Sequence, residues 1–156
     1  ENLKAINSNI EFSSDFLIGY PGENEEDFKA TLNLIKKIKF INSFSFIFSP
    51  RPGTSASKLN LTSKKISLER LEKVRTLLFK NQIATNKSLE NKEIDVLVEN
   101  KTDEGTRFFG RSEHMTPVIF DGNDKDVGNI IKVKVTHSNQ NTLFGEGINK
   151  IEQKVA

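Results

Sequence analysis

The hydrophobic residues of this chain change their period near Asn91, and no single layer of secondary structure accommodates both halves of the pattern. Before that point, Phe28, Leu32, Ile35 and Ile38 recur at helical spacing, as do Leu68, Leu71, Val74 and Leu78. After it, Ile94, Val96 and Val98 alternate with polar residues, and Ile131, Val133 and Val135 do the same. A period of 3.6 marks a helix with one buried stripe, whereas a period of 2 marks a strand with one buried face. The chain therefore reads as an α/β segment followed by an all-β one.

Within the first segment, Phe16-Leu17-Ile18 is a short apolar run broken by Gly19-Tyr20-Pro21-Gly22, which predicts a buried strand with a sharp exit. Asn24, followed by Glu25, Glu26 and Asp27, suits a helix start: an Asn cap with acids at the positive end of the dipole. The helix is predicted over residues 25–38. A second strand, Phe44–Phe48, ends at Ser49-Pro50-Arg51-Pro52-Gly53. Strand, helix and strand of these lengths make a βαβ unit with parallel strands. Ser63 can cap a long helix over residues 64–89, with Leu68, Leu71, Val74 and Leu78 as its buried stripe. Two strands and two helices leave sheet edges and apolar faces that a further partner must cover.

Five short strands are predicted in the second segment: Glu93–Glu99, Thr106–Arg111, Pro117–Phe120, Ile130–Thr136 and Thr142–Ile148. Turns fall at Asp103-Glu104-Gly105 and Asp121-Gly122-Asn123. Five strands in so short a span predict a small antiparallel barrel of the OB type.

Composition limits the chemistry. The chain has no cysteine, which excludes disulfides, a thiol nucleophile and any cysteine-held cluster or zinc within these residues. No apolar run approaches the roughly 20 residues that cross a bilayer, and no signal-peptide pattern appears, so no membrane association and a cytoplasmic location are expected. Residues 1–90 carry 14 Lys and Arg against 10 Asp and Glu, while residues 91–150 carry 8 against 10. A barrel that held nucleic acid only by phosphate neutralisation should be markedly basic, so if this one binds RNA, a few placed residues must do it or the basic surface comes from the first half. The first residue is Glu1, and the next five read as a helix, so the chain is expected to be an excerpt from a longer protein.

Three strings carry a resemblance. Ser14-Asp15-Phe16-Leu17-Ile18-Gly19-Tyr20-Pro21-Gly22-Glu23-Asn24-Glu25-Glu26-Asp27-Phe28 resembles the late-barrel motif of radical-SAM methylthiotransferases. Phe48-Ser49-Pro50-Arg51-Pro52-Gly53-Thr54 resembles that family's next signature. Residues 88–148 resemble a TRAM domain, with Phe109-Gly110-Arg111-Ser112-Glu113-His114-Met115-Thr116-Pro117-Val118 matching its middle. The three strings stand in the family's order. The resemblance implies that residues 1–87 are the C-terminal remnant of a parallel radical-SAM (β/α) barrel with a long connecting helix. Residues 88–150 would then be the TRAM barrel, which binds RNA.

The family's chemistry follows as an expectation. The Ser-Pro-Arg-Pro-Gly-Thr string resembles the branch that methylthiolates isopentenylated adenosine next to the tRNA anticodon. The implied cofactors are S-adenosylmethionine and 4Fe-4S clusters, whose ligands lie outside this chain. The expected partners are the tRNA anticodon arm and the upstream half of the same polypeptide, in a monomer. No catalytic residue or metal ligand is assigned here, and the excerpt alone is expected to be inactive.

For cofactor binding the candidates are Ile18 and Gly19, packing on a flat adenine, and Phe48 and Ser49, offering backbone groups to its edge. Arg51, Phe109, Arg111 and His114 are the candidates for RNA. Arg51 has a fork that matches phosphate oxygens, and Phe109 and Arg111 suit an OB-like surface that stacks bases and tracks phosphates. Alternatives remain at several positions: the Gly/Pro strings as plain turn geometry, Phe109 as core, Lys132 and Lys134 as a solvated face. Asp15 and Glu23 are read as structural supports. The functional rivals are methylthiolation of a ribosomal protein or of threonylcarbamoyl-adenosine, and a stand-alone RNA-binding module without catalysis.

Overall fold

A computed structural model describes residues 2–103 and 105–148, which part into two compact units between Gln82 and Ile83. Of the expected features, Glu104 of the first barrel turn, Glu1, and residues 149 and 150 of the barrel domain lie outside the described residues.

In the first unit a short helix, α1 (Asn2–Ile6), precedes β1 (Asp15–Ile18), α2 (Glu25–Ile38) and β2 (Phe44–Ile47). The strands pair in parallel, with Asp15 opposite Phe44 and Ile18 opposite Ile47, so their C-terminal ends lie side by side. Asn24 begins α2 as expected. Its side chain accepts from the backbone N–H groups of Glu26 and Asp27, while Asp27 returns a bond to the Asn24 N–H, a complete capping box. Lys39, in the left-handed region, ends the helix.

The long helix α3 runs from Lys64 to Ser88, and the Ser63 hydroxyl accepts from the Ile66 N–H at 3.3 Å. Its buried stripe differs from the expected one. Leu68 is 48% exposed, and the buried positions are Ser67, Arg70, Leu71, Val74, Leu78, Gln82 and Asn86. The stripe therefore begins on two polar residues, because the loop after β1 meets this part of the helix and calls for hydrogen-bonding groups. Phe16, Ile18, Phe28, Ile35, Leu71, Val74 and Leu78 form the core of this unit. The other face of the strand pair carries Leu17, Phe44 and Phe46, all more than half exposed. The Phe44 and Phe46 rings stack on each other at 6.4 Å.

The second unit is a closed barrel of β3 (Glu93–Lys101), β4 (Phe108–Ser112), β5 (Pro117–Asp121), β6 (Ile130–Ser138) and β7 (Leu143–Gly147). The strand order around it is β3-β4-β5-β7-β6, and β6 closes on β3. The sequence reading of an antiparallel barrel needs one correction: β5 and β7 pair in parallel, because β7 inserts between β5 and β6 rather than adding at an edge. Val96, Val98, Phe108, Val118, Phe120, Val133, Val135 and Leu143 fill the interior. Gly145 faces inward as well, where a Cβ would overlap the Lys134 carbonyl. Two bulges interrupt the ladders, one in β3 between Val98 and Asn100 and one in β6 between Val135 and His137. Glu90, just before the barrel, accepts from both the N–H and the hydroxyl of Ser138.

Candidate functional site

In parallel α/β structures reactive groups gather at the C-terminal ends of the strands. In this chain those ends are Gly19–Glu23 and Phe48–Thr54. Gly19 takes φ +73, and a Cβ there would overlap the Ser67 hydroxyl on α3, so both backbone angle and space require glycine. Its N–H donates to the Glu23 carboxylate. Glu23 in turn accepts from Arg70 of α3 at 3.0 Å, and Arg70 also donates to the Glu23 carbonyl and to Glu25. The guanidinium lies 5.1 Å from the centre of the Phe28 ring. Glu23 and Arg70 are both nearly buried. A buried pair of this kind is well determined only when its remaining hydrogen-bonding capacity is used, and here most of it ties the loop to α3.

The expected ligand residues at these strand ends take different positions. Ile18 is 2% exposed and belongs to the core, so its side chain is committed to packing. The Phe48 N–H donates to the Ile18 carbonyl at 2.8 Å, which extends the parallel ladder by one bond. That N–H is therefore spent, and the Phe48 carbonyl and the exposed Ser49 remain at the mouth of the strand pair. Tyr20 and Phe48 meet edge to face at 5.1 Å, one from each loop. The Arg51 carbonyl accepts from both the N–H and the hydroxyl of Thr54, a turn completed by Gly53 at φ +84. The Arg51 guanidinium is exposed and has no partner among the described residues. Sequence reasoning missed Arg70; only its helical offset from Leu71 and Val74 could have hinted that it shares their face.

On the barrel, Phe108 is buried and Phe109 faces outward, half-buried, so the alternation along β4 keeps Phe109 out of the barrel interior. The Arg111 guanidinium lies 5.5 Å from the centre of the Phe109 ring, and its Nε donates to Glu99 at 3.0 Å. His114 stands in the turn between β4 and β5, its Nδ1 3.9 Å from a Glu113 carboxylate oxygen. Phe109 and Arg111 thus share a patch, and His114 lies beyond the end of their strand. Lys132 and Lys134 face outward as expected. Lys132 bonds Asp95 at 2.8 Å, and this hydrogen bond raises its pKa above the ordinary lysine value against a smaller loss of hydration. Lys101 and Arg107 are likewise paired with Asp124 and Asp121. The barrel's charge is largely self-compensated, which agrees with its composition. Among the described residues no group of acids and histidines could hold a metal ion. No helix among them is long and apolar enough to cross a membrane.

Comparison with known proteins gives this geometry a context. Residues 87–148 match the TRAM domain, closely coincident with the closed barrel. The whole chain is 58% identical, over 156 residues, to 35% of the length of a tRNA-2-methylthio-N(6)-dimethylallyladenosine synthase from Pelagibacter ubique (strain HTCC1062). A protein of the same name from Ruthia magnifica subsp. Calyptogena magnifica is 41% identical over 144 residues, 92% of this chain and 32% of that protein. One from Acidovorax sp. (strain JS42) is 39% identical over 146 residues, 92% of this chain and 33% of its own length. The chain spans about a third of the length of these relatives and corresponds to their C-terminal part.

Proposed function

We propose that this chain is the C-terminal third of a radical-SAM tRNA methylthiotransferase, with the two-stranded unit as the end of the catalytic barrel and the TRAM barrel as a tRNA-holding domain. The observation that carries this reading is continuity. One similarity runs through both units without a break, to relatives whose names specify a tRNA adenosine as substrate. A stand-alone RNA-binding module would have no use for the parallel strand pair or for its exposed Leu17, Phe44 and Phe46. In this reading that face packs against upstream strands of the same polypeptide, and the domains are residues 1–87 and 88–150.

The residues present fit part of the implied cofactor set. With no cysteine, the chain offers no cysteine thiolate to an iron–sulfur cluster. S-adenosylmethionine supplies a carbon radical when bound to such a cluster, and the protein's task is to hold and orient it. For the adenine of that cofactor, the adjacent ends of β1 and β2 offer backbone at Gly19, Phe48 and Ser49. Ile18 contributes only indirectly, its carbonyl holding the Phe48 N–H in the ladder. Glu23 and Arg70 fix the first of these loops against α3. Arg51, exposed one turn beyond, would pair with a tRNA phosphate in this reading. Phe109, Arg111 and His114 are the corresponding contacts on the barrel. Of these, the cation over a ring is the arrangement best suited to an unstacked base beside a phosphate.

The test is nucleoside mass spectrometry of tRNA from cells lacking the gene. Loss of 2-methylthio-isopentenyladenosine, restored by the full-length gene, is expected. Unchanged tRNA with a lost methylthio group on a ribosomal protein would overturn the substrate assignment.

A further inference from the structure

Strict alternation along β6 would carry Val133 and Val135 inward and His137 inward after them. The bulge between Val135 and His137 prevents this, setting Thr136 and His137 together opposite Phe144. A bulge re-aims the side chains that follow it, and here it turns an imidazole out of the core. The His137 ring lies on the Phe144 ring at 4.5 Å with an interplanar angle of 2°. The Thr136 hydroxyl donates to the Phe144 carbonyl at 3.2 Å and stands 3.1 Å from His137 Nδ1. With that proton given to the carbonyl, the Thr136 oxygen accepts from Nδ1–H and holds the imidazole flat. The other bulge, in β3, does the same for Asn100, which it leaves exposed and opposite Phe109.

Register joins the two places. Phe109 pairs with Ile119, Ile119 with Phe144, and Phe144 with His137. All are outward positions, so one row runs around the barrel as Asn100, Phe109, Ile119, Phe144 and His137, with a bulge at each end. Phe109 and Phe144 are two strands apart, about 10 Å at ordinary strand spacing. That is too far for two bases stacked on each other, and suited to two bases splayed apart.

We propose that this row is a two-seat platform for unpaired RNA bases, one seat at Phe109 beneath Arg111 and a second, not foreseen in the sequence, at the His137–Phe144 pair. The occupant follows from the chemistry. Flat rings flanked by hydrogen-bonding side chains suit a heteroaromatic base. With Lys101, Arg107, Arg111 and Lys132 all paired to carboxylates, the surface is poorly made to grip phosphate alone. Arg111 loses little by exchanging Glu99 for a phosphate, because half-exposed ion pairs contribute little. The proposal rests on the reading of the barrel as RNA-binding and adds where the bases sit.

The experiment titrates the 156-residue chain with a single-stranded RNA of about 8 nucleotides, within the range one OB-like fold accommodates. The RNA carries 2-aminopurine, whose fluorescence is quenched by stacking, and a duplex of the same sequence is the comparison. Phe144→Leu and His137→Ala each change an outward side chain, and circular dichroism confirms that the barrel persists. Each is expected to weaken single-strand binding about tenfold and to relieve part of the quenching, with duplex binding unchanged. Arg111→Ala is expected to relieve a separate part. If both variants bind and quench like the parent while Arg111→Ala does not, the second seat is overturned and the RNA reading stands. If the parent binds neither RNA form, the RNA reading fails and the platform with it. Self-association of the parent that Phe144→Leu abolishes, without RNA binding, would assign the row to a protein contact instead.

Discussion

Arg70 shows how much one side chain can organise. It is buried on α3 yet charged, and it reaches the Glu23 carboxylate, the Glu23 carbonyl and Glu25. Removing one partner of a buried pair strands the other charge at a cost of about 3–5 kcal/mol, far beyond the worth of a surface pair. Arg70→Ala is therefore expected to destabilise the first unit by about 3 kcal/mol, read as a lowered urea midpoint. Restoring stability with the double variant Glu23→Gln/Arg70→Met would show that the stranded carboxylate is the cause. Arg51 makes the opposite case: its guanidinium is exposed and supports nothing. Arg51→Ala in the full-length enzyme is expected to leave the melting temperature within a degree or so while tRNA methylthiolation falls sharply, since surface changes seldom move stability by more than about 0.5 kcal/mol. Full modification by that variant would remove Arg51 from the site. Sequence patterns reveal residues like Arg51, which stand in a Gly/Pro-bounded string, and hide residues like Arg70, whose partners are some 45 positions away.

At the scale of elements, what was legible is what local physics decides. The start of α2 follows from Asn24 and the acids behind it, and both reciprocal bonds of its capping box are present. Asn24→Ala is expected to cost about 1 kcal/mol of stability, measured by thermal unfolding. Asn24→Ser should recover most of the loss. The strands of the barrel were legible from their alternation, and Phe109 faces outward because Phe108 is inside. Three features were not legible. The buried stripe of α3 begins at Ser67 and Arg70, since apolarity is a poor guide where a polar loop is the neighbour. The bulges escaped because period 2 has no local signal for an extra residue. The parallel pairing of β5 and β7 depends on strand order, which no window of sequence contains.

For the whole molecule, each unit has its own apolar core, and they differ in how complete they are. The barrel has no open edge among the described residues, whereas the strand pair exposes Leu17, Phe44 and Phe46 on one face. Exposed apolar patches of this kind mark contact surfaces or become aggregation liabilities. The isolated 156-residue chain is expected to self-associate with rising concentration in analytical ultracentrifugation. Phe44→Ser/Phe46→Ser should suppress this, and a longer chain bearing the upstream part should not show it. A second measurement belongs at this scale. Anaerobic reconstitution of the isolated chain should yield no bound iron by colorimetric assay, and the longer chain should take it up. Iron on the isolated chain would contradict the assignment of the cluster to upstream residues.

The strand order of the barrel also has a bearing on the protein's birth. β7 is the last of the barrel's five strands to leave the ribosome, yet it is the stave between β5 and β6. Until Leu143–Gly147 emerges, β5 and β6 present bare edges, and the interior that Leu143 plugs stands open to water. Domains generally fold as units once their sequence is complete, and here completion hinges on five residues near the end of the described chain. A nascent barrel stalled before Leu143 is the form most exposed to proteases and chaperones. A frameshift that spares the first 142 residues would therefore do nearly as much harm to this unit as its deletion.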